Sequence, residues 1–388
     1  MRKKSGLFLA LLLTMVFLLS GCLQKQPGDE HGESPVEQGP YAAAALQGEG
    51  NDEGKLYSAT AAAIQSLPQL PEYFLAAGWL SEEEILGLSG TNPLRVKVQN
   101  SSYTSLGVTA WDIRLSPDRE QFLFRNGDGI QLINGEGTGK KLLWSEQREG
   151  TTLQGGLWSP AGNNLLLYYE YEWDNEYFIY DLDTGNTETL AMDLPGYFLT
   201  SPTGWLDDQH LIFTARASRK KDGTQEYSSG YRSDLAVYNR ETSETTLITN
   251  ADDGEYLEGL SIGSSGILFQ RYFADNAIPC GIGVMDSEGG VHWEEATGRI
   301  LSGAINPQGH AAWIVDGEEE GMNQRAALFV RIGDSSRKAA TLLFGDHLQG
   351  PFWSPAGQRL LLSFSTALPL PEQPDSYETK YYTLIITP

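Results

Sequence analysis

A ten-residue phrase that occurs twice constrains this chain more than any other feature. Residues 158–167 read WSPAGNNLLL and residues 353–362 read WSPAGQRLLL. Their tryptophans lie 195 residues apart, which divides into four steps of about 49. Weaker copies fill the interval and precede it. Each has an apolar or tryptophan residue, a Ser-Pro or acidic turn, then a short apolar strand. Gly78-Trp79-Leu80 precedes Ile85 to Leu88, and Trp111 through Asp118 precedes Phe122-Leu123-Phe124. Trp205 to Asp208 precedes Leu211-Ile212-Phe213, and Leu260 to Gly266 precedes Ile267-Leu268-Phe269. Ile305 to Gly309 precedes Ala311 to Val315. The steps from Trp111 to Trp158 and from Trp158 to Trp205 are both 47 residues. A unit of this length cannot bury its apolar faces alone and must stack on copies of itself.

Within a unit the strands are short and the turns tight. Tyr177 to Leu182 enters the turn Asp183-Thr184-Gly185, and Thr187 to Ala191 follows as a fourth strand. Leu235 to Tyr238 with Thr245 to Thr249 repeats the arrangement. No stretch holds a helical apolar period for three turns; the best helical candidate, Ala59 to Ser66, is soon ended by Pro68. The fold class expected is therefore all-β, a β-propeller of four-stranded blades. Seven units are counted. Because the last has no chain left for a fourth strand, Lys55 to Ile64 is expected to return and close the ring. The first unit spans only 32 residues from Trp79 to Trp111, so six blades with an N-terminal appendage is the alternative. The repeated tryptophans Trp79, Trp111, Trp158, Trp205 and Trp353 are expected at one place in the repeat, packed between blades.

The segments LSPDREQFLF at 115–124, WSPAGNNLLLYY at 158–169, IYDLDTGNTETL at 179–190 and WSPAGQRLLLSF at 353–364 resemble TolB-type, or WD40-like (PD40), propellers. The resemblance covers residues 77 to 388 and implies the fold far more than a function. With the N-terminal motif below, the chain also resembles the YqgU-type propeller lipoproteins of Gram-positive bacteria.

The first residues read as an export signal. Arg2, Lys3 and Lys4 precede an apolar run from Leu7 to Leu19 that is too short for an ordinary membrane span. Leu19-Ser20-Gly21-Cys22 resembles a lipobox, which implies cleavage before Cys22 and a diacylglyceryl group on its sulfur. Residues 22–54 carry almost no large apolar side chains and are rich in Gly, Pro, Asp, Glu and Gln. Such a segment cannot offset its conformational entropy by burial and reads as a disordered acidic tether. The domains expected are thus a signal at 1–21, a linker at 22–54 and a propeller at 55–388. The expected location is the extracytoplasmic face of the cell membrane, held by lipid. Cys280 is left without a partner and reads as a small apolar side chain.

The formal net charge is −24, or near −27 once the three signal cations are removed. That field repels nucleic acid and anionic lipid headgroups, so neither is an expected partner. Catalytic motifs are absent: Gly87-Leu88-Ser89-Gly90-Thr91 fails as a nucleophile elbow at its last position. His31, His210, His292, His310 and His347 have no metal-ligand spacing. Asp181, Asp183 and Gly185 look like the start of a calcium loop, but Met192 stands where the liganding glutamate belongs. No cofactor and no metal are expected, and the chain reads as a monomeric, non-enzymatic binding scaffold.

Binding is expected where the connections are long and dissimilar. Up-and-down order puts the second-to-third connections of all blades on one face. These are Glu170 to Glu176, Arg216 to Arg232, Arg271 to Cys280, Asp316 to Arg325 and Thr366 to Lys380. Tyr171 and Trp173 stand in the first. Arg216, Arg219, Lys220 and Lys221 make a basic island in the second, while Glu318 to Glu320 reads as a solvated loop. The expected partner is an envelope protein or ligand at this face. The alternative is a lyase or glycan-active hydrolase with its site in the central channel, built on Asp112, Arg114 and Glu258.

Overall fold

The computed structural model describes residues 56–60, 62–145, 151–171, 175–220, 227–273, 279–296, 298–320, 322–370 and 373–388. Cys22, His31, Trp173 and Lys221 lie outside the described residues, as do the side chains of Arg219, Lys220 and Cys280.

Alternating apolar residues and glycine-bearing turns fold each repeat into an up-and-down antiparallel sheet. Among the described residues six such four-stranded units follow one another, at 74–105, 112–144, 152–189, 197–247, 255–295 and 300–344, and a last unit at 348–387 supplies three strands. They are called blades 1 to 7 below. Blades 4 and 5 are bridged by a single parallel pair, Ser233 with Tyr256. No helix occurs among the described residues. The apolar clusters lie between successive sheets rather than within them: Leu166 and Ile179 of blade 3 pack on Leu211 and Phe213 of blade 4. Each blade thus hides its neighbours' faces about a common axis, and the fold is a β-propeller.

The innermost strands are bent in the same way. Phe74–Trp79, Thr152–Trp158, Tyr197–Trp205, Glu255–Gly263, Ile300–Ile305 and Leu348–Trp353 each carry a register shift against the second strand. Gly155 and Gly350 sit in two of these bulges at φ +103° and +93°. A Cβ at either would lie 2.6 Å from a carbonyl of the adjacent strand, so glycine is required there.

Past the bulge, four of these strands end in the repeat tryptophan. Its indole N–H donates to the last carbonyl but one of the preceding blade's innermost strand: Trp79 to Phe352, Trp158 to Arg114, Trp205 to Leu157 and Trp353 to Ala304, at 2.9–3.3 Å. Trp111 departs from the expected pattern. It precedes its strand, Asp112–Leu115, is 61 % exposed, and leaves the packing place to Leu115. Matching on residue type placed it one short strand too early.

The ring closes between blades 7 and 1. Phe74, Ile85 and Trp79 share a core cluster with Leu361 and Ile385. The Ala76 N–H donates to Ser363 Oγ (3.0 Å), and the Arg359 guanidinium donates to the Glu82 carboxylate (2.7 Å) while lying over the Trp79 ring. The Ala356 N–H of the Ser-Pro turn also donates to Glu82 (2.6 Å). The same junction recurs where Ala161 N–H meets Asp208 (2.9 Å). Burial pushes the Glu82 carboxyl up. The Ala356 N–H, Arg359 and Ser354 outweigh it and hold the group below its ordinary value. A depressed carboxyl contributes stability above its unfolded-state pKa and loses it as pH falls through the folded one. Glu82→Gln is therefore expected to lower Tm at neutral pH and to flatten the fall of Tm on acidification toward about pH 3. Thermal melts across that range check it; parallel curves would show that the latch does not titrate with folding.

The missing strand of blade 7 is Ala63–Ser66, which pairs with Leu384 to Thr387. Only the end of the expected segment closes the ring. Tyr57–Ala59 runs along the outer edge of blade 6 instead, against Ala340 to Leu342. The helical candidate at 59–66 is thus a strand over its last four residues, because pairing with an open edge outweighs local propensity.

The second-to-third connections of blades 4, 6 and 7 are not irregular. Strand pairing continues along them to Lys220 and Tyr227, Glu320 and Asn323, and Leu370 and Gln373, so they project as hairpin arms. The arms of blades 6 and 7 are clamped together. The Asn323 side chain imitates a strand, donating to the Ala367 carbonyl and accepting from its N–H, both at 2.7 Å.

Candidate functional site: the central cavity and the hairpin-bearing face

The strands that begin blades 7, 1 and 2 start on the hairpin-bearing face, and those of blades 6, 7 and 2 end in the Ser-Pro or Asn-Pro turns of the opposite face. Between these strands lies a cavity of about 870 Å3. At the hairpin end it is lined by Tyr73, Trp111, Asp112, His347, Gln349 and Tyr381; at the turn end by Arg119, Asn306, Pro307 and Ser354.

The hairpin end is aromatic. Tyr73 is 56 % exposed and meets Tyr381 edge to face at 5.2 Å. His347 also stacks on Tyr381, at 6.0 Å. Burial pushes the Tyr381 hydroxyl up, and Tyr73 and Asp346 push it the same way. The exposed indole of Trp111 stands on the same rim. Below it Arg114 lies 3.4 Å from Asp112, a long and solvent-accessible pair of small energetic weight.

At the turn end Arg119 breaks a rule its sister turns keep. The turns Ser116-Pro117-Asp118-Arg119, Ser159-Pro160-Ala161-Gly162, Asn306-Pro307-Gln308-Gly309 and Ser354-Pro355-Ala356-Gly357 all close with the fourth N–H donating to the first carbonyl. The fourth residue is left-handed in each, at φ +65°, +76°, +82° and +68°. Three use glycine; blade 2 uses arginine, at a cost of about 1 kcal/mol. Burial pulls the Arg119 guanidinium below its ordinary value, against the pull of Glu82. It makes no hydrogen bond or ion pair among the described residues.

The site residues expected from the sequence fall in different places. Tyr171 follows Asn164–Glu170 at the hairpin-bearing face and is 39 % exposed. Arg216 is exposed on His210–Lys220, on the same face. Neither lines the cavity. Arg232, at the end of the connection that carries the basic island, is engaged: it donates to the Ala251 carbonyl (3.0 Å) and to the Tyr197 hydroxyl, beside the fully buried Asp234. Burial pushes Asp234 up, against the hydrogen bonds from Ala251 and Thr249. Of the three polar residues weighed for a channel site, Asp112 and Arg114 line the cavity. Glu258 does not, and accepts from Gln270 of its own blade (2.9 Å). Asp181 accepts from the N–H and hydroxyl of Thr184, which makes its segment a strand-ending turn. His210 binds the Asp207 carboxylate (2.8 Å) at the head of its strand, and His310 packs on Trp353, both as turn residues. Among the described residues no group of three or more His, Cys, Asp or Glu is placed to hold a metal ion.

Comparison with solved structures agrees with the sheet topology. An oligogalacturonate lyase in complex with manganese superposes with a TM-score of 0.57 at 11 % identity, over 85 % of this chain and 98 % of that one. An uncharacterised protein of Listeria monocytogenes superposes with a TM-score of 0.52 at 12 % identity, over 77 % and 91 %. A putative TolB from Agrobacterium tumefaciens aligns at 17 % identity over 61 % and 88 %, with a TM-score of 0.42. At such identities the first two share the fold with this chain and no more. No protein-family model and no curated protein matches the chain.

Proposed function

We propose that this chain is a lipid-anchored extracytoplasmic scaffold whose hairpin-bearing face docks a partner protein. One observation carries the reading. Of the eight large apolar side chains exposed among the described residues, Tyr73, Trp111, Tyr171, Met322 and Tyr377 lie on that face. Exposed apolar groups concentrated on one face mark an interface, and Tyr, Trp, Met and Arg are its usual anchors. Arg216 adds an exposed cation there. Trp173, Arg219, Lys220 and Lys221 belong to the same connections in sequence.

The tether rests on the basic, apolar and Leu-Ser-Gly-Cys succession at the N-terminus. Cys22→Ser is expected to move the protein from the membrane to the soluble fraction. The docking face is tested by capture from solubilised membranes. Replacing Trp111, Tyr171 and Arg216 together by alanine is expected to abolish the captured partner while Tm moves by no more than about 1 °C. Retained capture would refute the assignment. The enzymatic alternative is a channel site built on Asp112, Arg114 and Glu258; Asp112 and Arg114 line the cavity and Glu258 does not.

A further inference from the structure

We infer that the turn-bearing end of the central cavity is an anion site, with Arg119 as its anchor for a ligand carrying a carboxylate or phosphate group. Three observations meet at this residue. Its backbone is left-handed where three sister turns place glycine, so arginine stands there against local preference. Arg119 lines a cavity of about 870 Å3, and its guanidinium is partly withdrawn from water and without an ion-pair partner among the described residues. The nearest acid to act on it, Glu82, is already occupied by Arg359 and the Ala356 N–H. Finally, the cavity runs against the charge of the chain. Net charge is −24, yet the cavity's charged side chains are Arg114, Arg119 and the single carboxylate Asp112. A planar guanidinium presents a fork of donors that matches carboxylate and phosphate oxygens, and a water-poor setting strengthens the contact. A strained backbone at a cavity wall is where function is expected to oppose stability.

This site is separate from the docking face, which lies at the other end of the cavity. The test uses the full chain and calorimetric titration at constant ionic strength, with citrate and inorganic phosphate as separate probes. Wild type is expected to bind at least one of them saturably; which one assigns the carboxylate or the phosphate. Arg119→Gly is expected to weaken that binding by about tenfold or more, and Arg119→Lys to fall between. Because glycine suits the turn, Arg119→Gly is expected to leave Tm unchanged or raise it by about 1–2 °C. Partner capture by this variant remains as in wild type. Three results would overturn the inference: no saturable binding of either probe by wild type, equal binding by Arg119→Gly, or a Tm loss of several degrees in that variant. The last would make Arg119 a structural counter-charge to Glu82.

Discussion

Deleting residues 56–66 is expected to cost the protein its cooperative fold. The segment supplies the outer strand of blade 7, Ala63–Ser66, and the strand Tyr57–Ala59 along blade 6. It also buries Leu56, which is 3 % exposed and whose carbonyl accepts from the Leu343 N–H. Seven residues of strand pairing contribute about 0.5–1.5 kcal/mol each, and the Leu56 side chain about 2 kcal/mol. The total is comparable with the entire stability of a typical domain, about 5–15 kcal/mol. Tm is expected to fall by about 10 °C or more. The deletion also bares the edge of Gln373–Thr387, whose inner end is Leu384-Ile385-Ile386. An uncovered apolar strand edge recruits other chains, so the truncated protein is expected to scatter light in proportion to its concentration. Calorimetry and light scattering on the two forms check both effects. An unchanged, concentration-independent melt would mean that blade 7 holds without its returning strand.

The second large effect separates two tryptophans that look alike in the sequence. Trp79→Ala is expected to destabilise by about 3–5 kcal/mol. Its ring is 2 % exposed at the junction of the first and last blades, under Arg359 and bonded to the Phe352 carbonyl. Trp111→Ala is expected to change stability by less than about 0.5 kcal/mol, as exposed substitutions do. Urea unfolding of the two variants against wild type measures the contrast. Equal losses would place Trp111 in the packing between blades.

The two Ser-Pro-Ala-Gly phrases made the repeat, the strand order and the inward tryptophans readable, because turn chemistry is local. The glycines before Trp158 and Trp353 carried a further signal. A glycine three residues ahead of a strand-ending tryptophan, as Gly155 and Gly350 are, marks the inner bulge, where a Cβ meets the neighbouring strand. Register was less legible. Trp111 matched the repeat by type, yet Leu115 occupies the place, because a strand of four residues leaves little pattern to count along. The arm at 366–380 read as a loop because its polar residues hide a ladder that continues outward from the blade. The cavity was not legible at all. Tyr73, Trp111, His347 and Tyr381 meet only because the ring joins its ends, and no local spacing encodes that meeting. Arg119 did leave a trace, as the one departure from glycine among four aligned turns.

The ring itself is the claim on which the cavity, the docking face and the anion site depend. With Cys22 and Cys280 replaced by serine, spin labels at Ser81 and Pro355 report it directly by electron-electron dipolar spectroscopy. These positions flank the contact of Glu82 with Ala356 and are separated by nearly the whole propeller in sequence. A single narrow distribution at the short limit of the method is the expected result. A broad distribution, or one centred far beyond that limit, would mean that the first and last blades do not meet.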